Sequence, residues 1–135
     1  MKEDYLTVKN LQSQLSKESK ELFNDIHILQ EVTSTNDYLL RKSQEVEHNL
    51  ICVTSHQTAG RGQRGKLWIS QPNDICFSVL WNTTLSLEEL SGLSVLTGIA
   101  IAESIQPLSA NEKIQLKWPN DLLINHKKLG GILIE

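Results

Sequence analysis

One long apolar segment, residues 87–105, most constrains what this chain can fold into. Its leucine, isoleucine, valine and alanine residues recur around much of a helical circumference, so the spacing predicts a long and largely buried helix. The runs on both sides are short, apolar and bounded by polar turns, which predicts strands at residues 25–32, 50–55, 75–81, 114–118, 122–125 and 128–135. Because strands and helices are interspersed, the sequence predicts a mixed sheet backed by helices.

Two further helices are predicted near the N-terminus. Residues 6–20 space their leucines as a short surface helix does, and residues 33–36 offer N-cap side chains to a helix that runs towards Val46. With 135 residues, of which 39% are hydrophobic and 21% charged, the chain fits one folded domain. We expect a helical segment at residues 1–24 and a single domain at residues 25–135.

The charge distribution favours a small anionic ligand. The formal net charge of −3 argues against a domain built to hold nucleic acid, because such domains are usually strongly basic. From His56 to Asn73, however, the chain carries Arg61, Arg64 and Lys66 and no carboxylate. Such a local cationic loop attracts anions.

The cysteines and the N-terminus indicate the cytoplasm. Cys52 and Cys76 lie in apolar runs without any metal-ligand spacing, so we expect two buried thiols in a reducing compartment. The N-terminus lacks the apolar core of a signal peptide, and no apolar run approaches the ~20 residues of a membrane span. We therefore expect a cytoplasmic protein that has no membrane partner.

The segment from Gln57 to Trp68, QTAGRGQRGKLW, is the strongest local motif. Its glycines allow backbone N–H groups to approach a ligand, and its cations can hold phosphate or carboxylate oxygens. The alternative is a flexible, solvated basic loop. Trp68 is either a stacking platform for a planar ring or a core residue.

A second cluster reads KWPND at residues 117–121 and is followed by KKLGGI at residues 127–132. Asn120 and Asp121 can close a turn or present oxygens to Mg²⁺, and the turn is favoured on the residues alone. Lys128, which precedes two glycines, can reach a phosphate or carboxylate, although a lone strand lysine is more often solvated.

Four segments in this order, STNDYLL, QTAGRGQRGKLW, KWPND and KLGGILIE, resemble the biotin protein ligases. The resemblance covers nearly all of the chain from Ile26 onwards. It implies an α+β fold with a mixed, largely antiparallel sheet backed by helices, as in class II aminoacyl-tRNA-synthetase-like biotin and lipoate ligase cores. It also implies that the chain carries only the N-terminal part of such a core, since the family continues past the KLGGIL segment.

The resemblance also assigns roles to residues. It implies catalytic roles for Arg61 and Lys128, which would hold the biotin carboxylate and the activated phosphate. The implied biotin contacts are Ser34, Thr35, Asn36, Gln57, Arg61, Gly62, Gln63 and Lys128. The implied nucleotide contacts are Arg64, Trp68, Lys117, Asn120 and Asp121, with Asp121 also a ligand for Mg²⁺. Gln63 stands where many family members have an arginine.

The implied reaction activates biotin with ATP and Mg²⁺ to biotinyl-5′-AMP and transfers it to a lysine of the biotin carboxyl carrier protein domain of acetyl-CoA carboxylase. The glycine-rich loop would then cover the reactive intermediate. Two alternatives stay open: a lipoate or octanoyl ligase or transferase of the same fold, and an inactive fragment that only partly forms the biotin site. Residues 1–24 are too few for the winged helix of the bifunctional members, so we expect no DNA binding. A homodimer is also left open.

Overall fold

The computed structural model describes residues 6–23, 25–71, 74–86 and 88–135. These residues form two compact units. The first contains the residues up to Arg61 together with Gly65–Thr83, and the second contains Gly62–Arg64 and Thr84–Glu135. The domain boundary that the sequence predicts after residue 24 falls at a residue outside the described ranges, and it stays a prediction.

The first unit begins with two short helices, α1 (Val8–Gln14) and α2 (Lys17–Leu22). The prediction of a single helix over residues 6–20 is therefore wrong. Leu15 leaves the helical conformation, with φ −75° and ψ 143°, and the Oγ of Ser16 then accepts a hydrogen bond from the Ser19 N–H to start the second helix.

The remaining elements of this part of the chain, in order, are β1 (Asp25–Leu29), α3 (Thr35–Lys42), β2 (Leu50–Thr54), β3 (Gly60–Arg61), a 3-10 turn (Gln63–Gly65), β4 (Leu67–Trp68) and β5 (Cys76–Leu80). The first two residues of the 3-10 turn belong to the second unit. Strand β2 is central: it pairs in parallel with β1 and antiparallel with β5. Strands β3 and β4 form a separate antiparallel pair. Helix α3 ends at Lys42, four residues before the predicted end at Val46.

Helix α3 covers one face of the three-stranded sheet. Strand residues alternate between the two faces of a sheet, so Leu50 and Cys52 share a face, and both are fully buried. Leu39 of α3 packs against them and is 3% exposed. This small core fixes the position of the helix, and with it the residues at its N-terminal end.

The second unit contains α4 (Leu93–Ile105), a 3-10 turn (Gln106–Leu108) and three strands, β6 (Ile114–Lys117), β7 (Asp121–Ile124) and β8 (Lys127–Gly131). The strands form an antiparallel meander in the order β6-β7-β8. Asn125 and His126 link β7 to β8 with positive φ values of 50° and 61°, as a tight hairpin turn requires. Strand β8 ends at Gly131, so the predicted strand over residues 128–135 is too long. Beyond it, the Ile132 N–H donates to the Asn120 carbonyl.

Helix α4 differs from its prediction in its start and in its burial. Leu87 lies outside the described residues, and the helix starts at Leu93 after Gly92, which has a φ of 87°. Gly98 is its buried residue, whereas Leu96 is 65% exposed and Ile99 is 39% exposed. The helix packs along β6 and β7, so part of its apolar circumference stays exposed. The prediction that it is largely buried is wrong.

The class of the fold is as the sequence predicts. The structure contains both helices and strands, and the strand pairing is mixed. All of the strand pairs in the described ranges are antiparallel except β1 with β2, which is parallel. The strands are divided among three sheets where the sequence predicts one. None of the described helices is both long enough and apolar enough to cross a membrane.

Candidate functional site

The N-terminal end of α3 places two of the expected biotin contacts. Ser34 is the N-cap residue, and its Oγ accepts a hydrogen bond of 3.3 Å from the Asp37 N–H. Thr35 is the first residue of the helix. Ser34 is 2% exposed and Thr35 is 4% exposed. Buried hydroxyl groups need hydrogen-bond partners, so this turn is a polar site inside the unit.

Gln57 supplies the partner of Thr35. Its Oε1 accepts from the Thr35 N–H at 2.8 Å and from the Thr35 Oγ1 at 3.1 Å. The backbone of Gln57 is held in turn by Ser70, whose Oγ accepts from the Gln57 N–H at 2.9 Å and donates to the Gln57 carbonyl at 3.2 Å. The structure therefore brings together two residues that are 22 positions apart and that the family resemblance assigns to one ligand.

Ser78, on β5, completes this polar cluster, and the sequence analysis missed it. Its Oγ lies 2.8 Å from the Thr35 Oγ1 and donates a hydrogen bond to the Asn36 Oδ1. Ser78 shares a sheet face with Cys76 and Leu80, and Cys52 is its register partner. The signal that could have identified it is a polar residue on the buried face of an apolar strand. We call Ser34, Thr35, Asn36, Gln57 and Ser78 the hydroxyl–amide cluster.

Arg61 lies on β3, where it pairs with Leu67. Its Nη2 lies 2.7 Å from the Oδ1 of Asp37, in the first turn of α3. The two side chains are 36% and 34% exposed, so the ion pair is neither buried nor fully solvated. Asp37 also escaped the sequence analysis, although it directly follows the STN segment.

Gly60 allows this part of the chain to come close together. A Cβ atom at Gly60 would lie 2.7 Å from the backbone oxygen of Trp68 and 2.8 Å from the Nε2 of Gln57. Neither distance is possible for a real side chain, so only glycine fits here. Trp68 itself is half-buried, and its role as a stacking platform stays a prediction.

The basic loop that follows β3 is exposed at Gln63 and Arg64. Arg64 and Gly65 have positive φ values of 58° and 71°, so the chain turns sharply there. The expected ligand contacts of Gly62, Gln63 and Arg64 stay predictions, and these three residues belong to the second unit.

The second unit brings together the other expected residues on its three-stranded sheet. Lys117 of β6 is the register partner of Asp121 of β7. The Oδ1 of Asp121 lies 2.7 Å from the Nζ of Lys128 on β8. Asn120 makes a different contact: its Nδ2 donates a hydrogen bond to the Ile132 carbonyl at 2.9 Å. The structure thus pairs Lys128 with Asp121 and uses Asn120 to hold the backbone after β8.

Magnesium does not fit these residues as a protein-built site. Within the described ranges, no three histidine, cysteine, aspartate or glutamate side chains are grouped so that they could hold a metal ion. The carboxylate of Asp121 already has the Lys128 ammonium as its neighbour. A magnesium ion that arrives with a nucleotide needs only one or two carboxylates, so Asp121 stays the predicted contact, and we derive no step through the ion.

Neither thiol is suited to act as a nucleophile. Cys52 and Cys76 are buried and unpaired with each other, as the sequence predicts. Burial raises the pKa of the Cys52 thiol to about 11 and also raises the pKa of Cys76. Because the reactive form of cysteine is the thiolate, both residues are structural.

Comparison with known proteins decides the family. The model of the biotin/lipoate A/B protein ligase family matches residues 28–135. The chain belongs to this family. Over 111 residues it is 38% identical to the bifunctional ligase/repressor BirA of Escherichia coli, and the match covers 82% of this chain and 34% of that protein.

Solved structures of the family share the fold. The biotin protein ligase of Leishmania major in complex with biotinyl-5-AMP superposes with a TM-score of 0.70 at 33% identity, over 82% of this chain and 51% of that one. The biotin protein ligase of Aquifex aeolicus in complex with biotin and ATP gives a TM-score of 0.69 at 33% identity, over 84% and 47%. This chain therefore spans about a third of the curated relative and about half of the solved structures. The expected family and fold class are confirmed.

Proposed function

We propose that this chain is part of a biotin protein ligase that activates biotin with ATP and transfers the biotinyl group to a lysine of a biotin carboxyl carrier protein domain. The observation that carries the proposal is the hydroxyl–amide cluster beside Arg61. It places a cation next to buried polar groups at the end of one helix. The resemblance assigns these same residues to biotin, and related proteins bind biotin and biotinyl-5-AMP.

The cluster has the chemistry that a biotin ring system needs. The urea group of biotin presents N–H donors and a carbonyl acceptor, and these require matched acceptors and donors in a poorly hydrated site. Hydroxyl and amide groups at Ser34, Thr35 and Gln57 offer both kinds. We assign Ser34, Thr35, Asn36 and Gln57 to the biotin ring, and Gly62 and Gln63 of the basic loop as further biotin contacts.

Arg61 and Lys128 are the cations assigned to the reacting groups. In the first step a biotin carboxylate oxygen forms a bond to the α-phosphorus of ATP, and the bond from that phosphorus to the pyrophosphate oxygen breaks. Two anions meet in this step, so positive charge lowers their repulsion and stabilises the transition state. In the second step the lysine Nζ of the carrier attacks the acyl carbon, AMP leaves, and the lysine nitrogen loses a proton.

The nucleotide is assigned to the remaining positions. Trp68 would contact the adenine, while Arg64, Lys117, Asn120 and Asp121 would line the phosphate side. The exposed Arg64 and Lys117 side chains suit contacts with solvated phosphate oxygens. Asp121 contributes by holding the Lys128 ammonium at 2.7 Å.

The assignment of the cations is tested by Arg61→Ala and Lys128→Ala in a longer protein that includes this chain. Each change should lower biotin-dependent pyrophosphate release from ATP by about a hundredfold or more, because each removes a charged donor from the transition state. Gln63→Ala is the matched control in the same loop and should have a smaller effect. Pyrophosphate release at the parent rate in either cation variant would contradict the assignment.

The acyl substrate is tested by calorimetry on the 135-residue chain. We expect measurable heat with biotin and none with lipoate at the same concentration. Binding of lipoate alone would point to the lipoate branch of the family, and binding of neither would indicate a fragment that does not form the site.

A carrier domain, and not nucleic acid, is proposed as the macromolecular partner, since the chain has a net charge of −3. An electrophoretic shift of operator DNA by the chain would contradict this.

A further inference from the structure

The contact between Arg61 and Asp37 has a geometry that bears on how an anion is bound. The guanidinium Nη2 and the carboxylate Oδ1 lie 2.7 Å apart, at the distance of a charge-assisted hydrogen bond. About two thirds of each side chain is removed from solvent. An ion pair on an open surface contributes little to stability, because forming it restricts two flexible side chains. This cost is smaller where the surrounding structure already holds both residues in place.

Asp37 is held by its helix. It lies in the first turn of α3, and its N–H donates to the Oγ of the N-cap residue Ser34. The helix is anchored to the sheet by Leu39, which is 3% exposed. The carboxylate therefore has little freedom to move away from its place.

Arg61 is held by its strand. Its backbone pairs with Leu67 of β4, and the preceding Gly60 pairs with Trp68 in the same two-stranded ladder. Only the long side chain of Arg61 can choose among rotamers. An acceptor fixed at one edge of its guanidinium selects the orientation of the whole planar group, because the donors of that group form a rigid fork.

We propose that Asp37 is a positioning residue for Arg61: it orients the guanidinium so that the cation meets the carboxylate oxygen of the ligand in a fixed geometry. This inference rests on the proposed function, in which Arg61 contacts the biotin carboxylate. It adds a residue that does not touch the ligand itself. Pre-orientation of this kind raises affinity by lowering the ordering cost of binding.

A simpler role for Asp37 predicts something else. An acidic residue in the first turn stabilises a helix through its dipole, and Asp37 is such a residue. If this were its whole role, its loss would weaken the fold and the binding of charged and neutral ligands alike. The positioning role instead affects a ligand only where that ligand carries a negative charge for Arg61.

The test compares biotin with biotinamide, in which the carboxylate is replaced by a neutral amide. Both are titrated into the parent chain, Asp37→Ala, Asp37→Asn and the control Glu45→Ala by calorimetry, with folding checked by circular dichroism. Glu45 pairs with Lys42 at 2.6 Å just beyond the same helix, so its loss removes a carboxylate and an ion pair away from Arg61.

We expect Asp37→Ala to weaken biotin binding roughly tenfold, the size of one lost hydrogen bond to a charged group, while biotinamide binding stays unchanged. Asp37→Asn should restore most of the affinity for biotin, because its amide oxygen still accepts from Nη2. Glu45→Ala should match the parent chain with both ligands.

Three outcomes would overturn the inference: equal losses for biotin and biotinamide, no loss for biotin, or an Asp37→Asn variant as weak as Asp37→Ala. Absence of biotin binding by the parent chain itself would show that the chain does not form the biotin site, and it would overturn the assignment of Arg61 to the biotin carboxylate together with the inference. The two failures are therefore distinguished by the parent titration.

Discussion

Replacement of Gly60 by alanine probes a close approach between β3 and β4. The new Cβ would lie 2.7 Å from the Trp68 carbonyl oxygen, which belongs to the backbone and cannot rotate away. It would also lie 2.8 Å from the Nε2 of Gln57. The strand pair must therefore separate, and Gln57 must move relative to its partner Thr35.

We expect Gly60→Ala to lower the free energy of unfolding by about 1–3 kcal/mol, the usual cost of forcing an extra carbon into a tightly packed place. Biotin affinity should fall as well, because displacement of Gln57 breaks its hydrogen bonds to Thr35. Urea unfolding followed by circular dichroism measures the first effect, and calorimetry measures the second.

Gly130→Ala is the matched control, because its Cβ would lie 3.6 Å from the Leu122 Cδ1, an ordinary contact distance. This variant should unfold close to the parent midpoint. The reasoning fails if Gly60→Ala unfolds like the parent chain, or if Gly130→Ala is destabilised as much as Gly60→Ala.

Three further predictions concern the same unit. Ser78→Ala should lower the free energy of unfolding by about 2 kcal/mol, because it removes hydrogen bonds to Thr35 and Asn36; Ser78→Thr, which keeps the hydroxyl, should lose less, and equal losses in urea titrations would contradict the role of the hydroxyl. The pKa of Cys52 is raised from its ordinary value of 9.0 to about 11, so stability is fully present below pH 9 and is lost as the pH rises towards 11, by about 3 kcal/mol in all. Cys52→Ala should flatten this part of the unfolding profile, and an unchanged slope would refute the assignment. Leu39→Ala, at a side chain that is 3% exposed, should cost about 2–5 kcal/mol, whereas the same change at Leu40, which is 43% exposed, should cost far less.

Local patterns predicted the elements best where a pattern has a local cause. The Ser34 N-cap is set by its own hydroxyl and a hydrogen bond three residues along the chain. Strand β2 follows from a short run of apolar and β-branched residues. The hairpin between β7 and β8 was predicted one residue too late, at residues 126 and 127, because Asn125 was counted in the strand although it adopts a positive φ of 50° in the turn.

Tertiary contacts were the part that the sequence could not provide. The apolar residues around α4 predicted burial, yet burial depends on what packs against each side, and Leu96 remains 65% exposed. Of the candidate site, the resemblance supplied Thr35, Gln57 and Arg61, but not the residues that hold them. Ser78 and Asp37 touch these residues across 43 and 24 positions of the chain, respectively, and no local pattern encodes such a distance.

The carboxylate partners of Arg61 and Lys128 also affect how the chain reaches its folded state. Each cation lies 2.7 Å from an aspartate in its own unit, Asp37 in one case and Asp121 in the other. A partly buried positive charge without a counter-charge opposes folding, because it loses its hydration with no compensation. Here each charge is compensated within the unit that carries it. The charges of Arg61 and Lys128 are therefore compensated without an anionic ligand, and the unliganded chain carries neither cation without a nearby counter-charge.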